Sequence, residues 1–160
     1  MDENHDHKDT VTDFDITVVG DVLADENLEY RLQDTPTADG TTTVVRTGFV
    51  NSAIAFVREG DNLVCEALWR GEFPKAMATT LLAMCNEYNQ LQFAPTLRFY
   101  EQGEEHVAAN AFRILDISKG ASYNQIGAFV VSTLDMVVGA FNVLEEQLPN
   151  LVTWEDTHEH

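Results

Sequence analysis

Apolar residues recur along the chain first at helical spacing, then in strand-like alternation, and the two periods keep exchanging. Phe14, Val18, Val22 and Leu23 fall on one face at helical spacing, which predicts a short amphipathic helix over residues 14–25. Thr17, Val18, Val19 and Gly20 have weak helix propensity, so packing must hold that segment. Leu28, Tyr30 and Leu32 then alternate with polar neighbours, as in a half-buried strand. The stretch TPTADG at 35–40 reads as a turn, and Thr41 to Thr47 is β-branched enough for a second strand.

A hairpin follows. Ala53, Ala55 and Val57 alternate with Ile54, Phe56 and Arg58; Glu59, Gly60, Asp61 and Asn62 make the turn. Leu63, Cys65, Ala67 and Trp69 mark the buried face of the returning strand, which Gly71 breaks. Pro74 stands where a first-turn proline belongs, opening a helix from Lys75 to Leu91. Its apolar stripe is Met77, Leu81, Leu82, Met84, Cys85 and Tyr88, and Pro95 closes the segment.

A second hairpin runs from Thr96 to Tyr100, turns at Gly103 and returns from Val107 to Ile117. Ser122 with Gln125 three residues on is a capping-box arrangement, and the helix it opens runs to about Leu148. The two hairpin–helix units align, with Phe56 matching Phe99, Gly60 matching Gly103, Val64 matching Val107 and Arg70 matching Arg113. The expectation is an α+β fold in the order α-β-β-β-β-α-β-β-α, an antiparallel sheet packed by helices. Residues 1–13 read as a disordered acidic tail, 14–148 as the domain and 149–160 as a C-terminal tail.

The last helix has apolar residues to spare. Val130, Leu134, Val137, Phe141, Leu144 and Leu148 form a seam of alternating fours and threes. Ile126, Phe129, Met136, Ala140 and Val143 form a second, and with Val131 and Val138 the apolar arc reaches about 240° at 100° per residue. A helix lying on a sheet needs little more than about 100°. The first helix and the C-terminal tail, a second copy of the chain, or a partner segment could cover the surplus. Val130, Val137, Phe141 and Leu144 are therefore candidate interaction residues, with a homodimer through this helix as the specific expectation.

Charge narrows the partners. Nine basic residues face 27 acidic ones in 160 residues, a net of −18. Binding to nucleic acid needs clustered Lys and Arg, which here are scattered singly from Lys8 to Lys119. Nucleic acid and anionic membranes are thus disfavoured. There is no unbroken run of about 18 apolar residues and no basic, apolar leader. A cytoplasmic protein is the expectation. Cys65 and Cys85 lie in apolar segments and read as buried free thiols.

Candidate chemistry is sparse. His5, His7, His158 and His160 lie in the expected tails, and His106 sits beside a hairpin turn. Neither G-x-G-x-x-G nor G-x-x-x-x-G-K-[ST] occurs. No catalytic residue, cofactor or metal is expected. The most distinctive patch is 85–100, where Asn86, Glu87 and Asn89 share a helix end with Tyr88 and a strand carrying Arg98 follows. It reads either as local structure or as a polar recognition patch in which Glu87 and Arg98 meet a partner.

Asn86-Glu87-Tyr88-Asn89 followed by Pro95 resembles the N-E-[WY]-N…P signature of the YbjN family, bacterial proteins described as sensory transduction regulators. The order before it fits as well: a short helix, a strand ending in Tyr30, a turn at Gly40, strands through Trp69 and then the helix. The resemblance covers roughly residues 14–148. It implies a fold similar to that of type III secretion chaperones, small acidic proteins that commonly dimerise and bind other proteins. It supplies no catalytic residues. The expected function is a non-enzymatic, regulatory or chaperone-like adaptor that binds another protein as a homodimer. The alternative is a small-molecule sensor with an apolar pocket between sheet and last helix.

Overall fold

The computed structural model describes residues 10–38, 40–49, 51–70, 73–91, 96–102 and 104–147. The elements are α1 (Thr17–Asp25), β1 (Arg31–Thr37), β2 (Gly40–Phe49), β3 (Ser52–Glu59), β4 (Asn62–Trp69) and a two-residue β5 (Phe73–Pro74). A 3-10 turn (Lys75–Met77), α2 (Ala78–Leu91), β6 (Thr96–Gln102), β7 (His106–Asp116) and α3 (Tyr123–Gln147) complete them. One seven-stranded sheet has the order β1-β2-β3-β4-β7-β5, with β6 also paired to β7. The α+β class and the element order are as the sequence indicates; β5 is the addition. Pro74 serves in β5 opposite His106 before the 3-10 turn begins.

The described residues cluster into two compact units, within Met1–Thr47, Ala55–Cys65 and Ile114–Leu134, and within Gly48–Ile54, Glu66–Arg113 and Asp135–His160. In the first, α1 starts at Thr17, whose amide and hydroxyl both donate to the Asp15 carboxylate, at 2.9 and 2.8 Å. Val19, Val22 and Leu23 form its buried face. Gly20 lies close to the Tyr30 ring: a Cβ there would stand 2.6 Å from it, so a larger residue would have to move the ring. Ordered structure also begins before the expected boundary at 14: Thr12 pairs with Ala121 through two backbone bonds. The rest of the expected N-terminal tail, residues 1–9, and the C-terminal tail from 149 on lie outside the described residues.

The first hairpin departs from expectation. Strand β1 continues through Pro36, which pairs with Thr41, to Thr37, which pairs with Gly40, so these residues of the expected turn at 35–40 belong to strands. Proline is tolerated because β1 ends the sheet and its missing N–H takes no bond from the ladder. Of the residues expected to alternate in a half-buried strand, Tyr30 is 38% and Leu32 50% exposed. The nine-residue α1 covers part of the Tyr30 ring at Gly20 and does not bury Leu32.

Both halves of the capping box form at the start of α3. The Ser122 amide donates to Gln125 Oε1 at 2.8 Å, and the Gln125 amide donates to Ser122 Oγ at 3.1 Å.

In the second unit, Leu81 and Cys85 of α2 are buried, whereas Leu82 is 42% exposed. One residue is a 100° rotation, which carries Leu82 out of the stripe assigned to it. Trp69 lies against Phe73 with ring centroids 5.1 Å apart, and its Nε1 donates to Glu145 of α3 at 3.4 Å. Arg70 pins the β2–β3 turn: its guanidinium donates to the carbonyls of Phe49 and Ser52, both at 3.2 Å, and its amide to that of Asn51. Gly48 fits beside this turn because a Cβ would approach the Ser52 carbonyl to 2.7 Å. Both cysteines are buried.

The chain itself absorbs most of the α3 surplus. Val130, Val137, Phe141 and Leu144 are all buried. The reading of these four as partner-facing residues is corrected: they are core, and Val143, 36% exposed, is the large apolar side chain that α3 leaves outside. Tyr123–Glu146 is also long and apolar enough to cross a membrane by length and composition, with mean hydropathy 1.7. Counting unbroken apolar runs missed this because Ser132, Asp135 and Asn142 interrupt the sequence without lowering its average much.

Candidate functional site

The 85–100 patch separates into inward and outward parts. Asn86 and Glu87 are exposed on α2. Asn89 turns its carboxamide onto β6: Nδ2 donates to the Leu97 carbonyl and Oδ1 accepts from the Leu97 amide, each at 2.8 Å. The side chain imitates a neighbouring strand, which fits the reading of this segment as local structure. Tyr88 is half-buried, and burial pushes its phenol up. Arg98 follows buried Leu97 and so points to the opposite face of the strand. There its guanidinium stacks 3.7 Å over the Phe112 ring.

On the face Arg98 shares, Asn110 of β7 is its direct cross-strand neighbour. Asn110 Nδ2 donates to Glu66 Oε1 at 3.2 Å, while its Oδ1 is buried without a partner. Neither the Asn110–Glu66 contact nor the Arg98–Phe112 stack was legible in the sequence, because each depends on strand register.

The first unit carries a depression of about 430 Å³. Phe14, Val18 and Ile126 give it apolar lining, and Asp13, Asp15, Asp21 and Asp25 make it acidic. Tyr123, on α3, donates a hydrogen bond to Asp25, at the end of α1. Desolvation, that hydrogen bond and the charges of Asp25, Asp21 and Glu26 push the Tyr123 phenol up to about 12. Asp15 is already occupied as the partner of Thr17. No local sequence signal links Tyr123 to Asp25; only the fold brings them together.

Other shifted groups also move away from neutrality. Burial raises the Cys85 thiol to about 11, and hydrogen bonds from Ser118 lower the Asp116 carboxyl. A general acid or base works best with its pKa near the operating pH. These shifts suit structure and binding better than proton transfer.

No family model matches the chain, and no curated protein does. Among solved structures, the crystal structure of YbjN from E. coli, a proposed transcription regulator, matches with a TM-score of 0.67. The match covers 92% of this chain and 100% of that one, at 11% identity. This chain has the YbjN fold. The match supports at the level of fold what the Asn86–Asn89 motif suggested, and the YbjN fold accounts for the α+β order described above. At this identity the likeness speaks for fold alone.

Proposed function

We propose that the chain is a non-enzymatic protein-interaction module, a regulatory or chaperone-like adaptor of the cytoplasm. The observation that carries this reading is the YbjN likeness across 92% of the chain, since YbjN is itself described as a proposed transcription regulator. The charge of −18 with scattered basic residues argues that regulation here runs through protein contacts and not through direct binding to nucleic acid. Burial of the α3 seam supports a core role for that helix over a membrane role.

The partner is another protein. A homodimer through α3 would have to use Asp135, Gly139, Asn142, Val143 and Glu146, the exposed residues of its second half. That surface is mostly polar, with acidic groups that would repel a second copy, so a different polypeptide suits it better. Affinity capture from native lysate tests the reading. A specific protein should be retained in every repeat and released by salt; repeated recovery of the bare chain would overturn it.

A further inference from the structure

Three segments of the first unit line its depression of about 430 Å³. Thr12 to Asp15 form one, fastened to Ala121 by two backbone bonds of 3.3 and 2.9 Å. Val18, Asp21 and Asp25, three and four residues apart, share one face of α1 and form the second. Tyr123 and Ile126 of α3 belong to the third, and the Tyr123–Asp25 hydrogen bond joins it to α1. The volume falls within the range of about 300–1,000 Å³ usual for small-ligand pockets.

The charged lining has one sign. Asp13, Asp15, Asp21 and Asp25 contribute to it, and no lysine, arginine or histidine does. Arg58 lines the adjoining depression, where it donates to the Phe14 carbonyl at 3.1 Å. Asp15 is held by Thr17 and Asp25 by Tyr123. Asp13 and Asp21 enter no hydrogen bond or salt bridge among the described residues. After desolvation, the bond to Asp25 and the charges of Asp25, Asp21 and Glu26 raise the Tyr123 phenol, so the negative field reaches this wall.

Two further features narrow the occupant. The carboxylates stand on separate segments and do not converge: no group among the described residues could hold a metal ion. Phe14, Val18 and Ile126 add apolar surface to the same depression. What fits is positive charge at more than one point with an apolar body between. Linear aliphatic polyamines have that form, and their ammonium groups stay charged at neutral pH as lysine's does.

We propose that this depression binds a linear aliphatic polyamine, its methylene run on Phe14, Val18 and Ile126 and its ammonium groups on Asp13 and Asp21. Small-molecule binding of this kind goes beyond the protein-interaction role and does not depend on it.

The probe is octamethylenediamine, titrated into the full chain at low salt by isothermal calorimetry. Saturable one-to-one binding is expected. The double variant Asp13→Asn/Asp21→Asn should weaken it at least about fivefold, the effect of two exposed ion pairs near the upper end of their usual strength. Both positions are exposed, and circular dichroism should show the variant folded. Glu104→Gln/Glu105→Gln removes the same charge from exposed positions in the other unit and should leave binding unchanged. An analogue of equal length with ether oxygens in place of two methylenes keeps both charges and their spacing. It should bind the wild-type chain at least about threefold more weakly, because apolar burial is lost. Absence of saturable binding, an equal affinity for the ether analogue, wild-type affinity in the Asp13/Asp21 variant, or an equal loss in the Glu104/Glu105 variant would each overturn the proposal. The assay contains no other protein, so its outcome is separate from that of the lysate capture.

Discussion

Asn89 holds Leu97 by both of its backbone groups, donating to the carbonyl and accepting from the amide, each at 2.8 Å. One side chain thereby ties the end of α2 to the start of β6. Asn89→Ala would leave both backbone groups of Leu97 unpaired, and each unmade bond in a part-buried site costs about 1–3 kcal/mol. Urea denaturation should show a loss of about 2–4 kcal/mol. Asn86→Ala and Glu87→Ala, at exposed positions, should each stay within about 0.5 kcal/mol of wild type.

The α3 seam should behave as core. Phe141→Ala is expected to cost about 3–5 kcal/mol by leaving a cavity where an aromatic ring was fully buried. Val143→Lys should cost under about 0.5 kcal/mol, since that position already meets solvent. Light scattering on both variants should show the wild-type mass. A lighter Val143→Lys species would assign α3 to an interface.

Tyr123 should make stability depend on alkaline pH. Its phenol is raised in the folded state to about 12 from an ordinary value of 10.0, so folding favours the protonated form. The sign follows: the contribution is complete below pH 10 and is lost as pH rises from 10 through 12. Urea midpoints measured across that window should fall, and Tyr123→Phe should flatten the part of the fall that belongs to this group.

The thiols should be protected by the fold. Cys85 is buried with its pKa raised to about 11, and Cys65 is buried as well. Thiolate is the reacting form, so labelling with a disulfide reagent at pH 8 should run at least about tenfold slower in the native chain than in urea. Equal rates would mean that these segments open readily.

What was legible in the sequence was mostly local. Ser122 and Gln125 are three residues apart, and their reciprocal bonds form as read. The alternation of Leu63, Cys65, Ala67 and Trp69 gave a strand whose buried face is those four residues. The surplus apolar arc of α3 was legible as well, but hydrophobic pattern counts what must be covered without saying by what. Val130, Val137, Phe141 and Leu144 therefore looked free for a partner and proved to be core. Pro36 suits a turn and an edge strand equally, so the sequence around it does not mark where β1 ends. Tyr123 with Asp25, and Asn110 with Glu66, are far apart in sequence, and no single-residue signal predicts such pairs.

The central claim is that this YbjN-fold chain works by holding another protein. Native mass spectrometry of the chain purified at low salt from its own cells tests it most directly. The account predicts a complex heavier than the 17.9 kDa chain, containing a second, different polypeptide that salt releases. A spectrum holding the 17.9 kDa chain alone, or only multiples of it, would contradict the account.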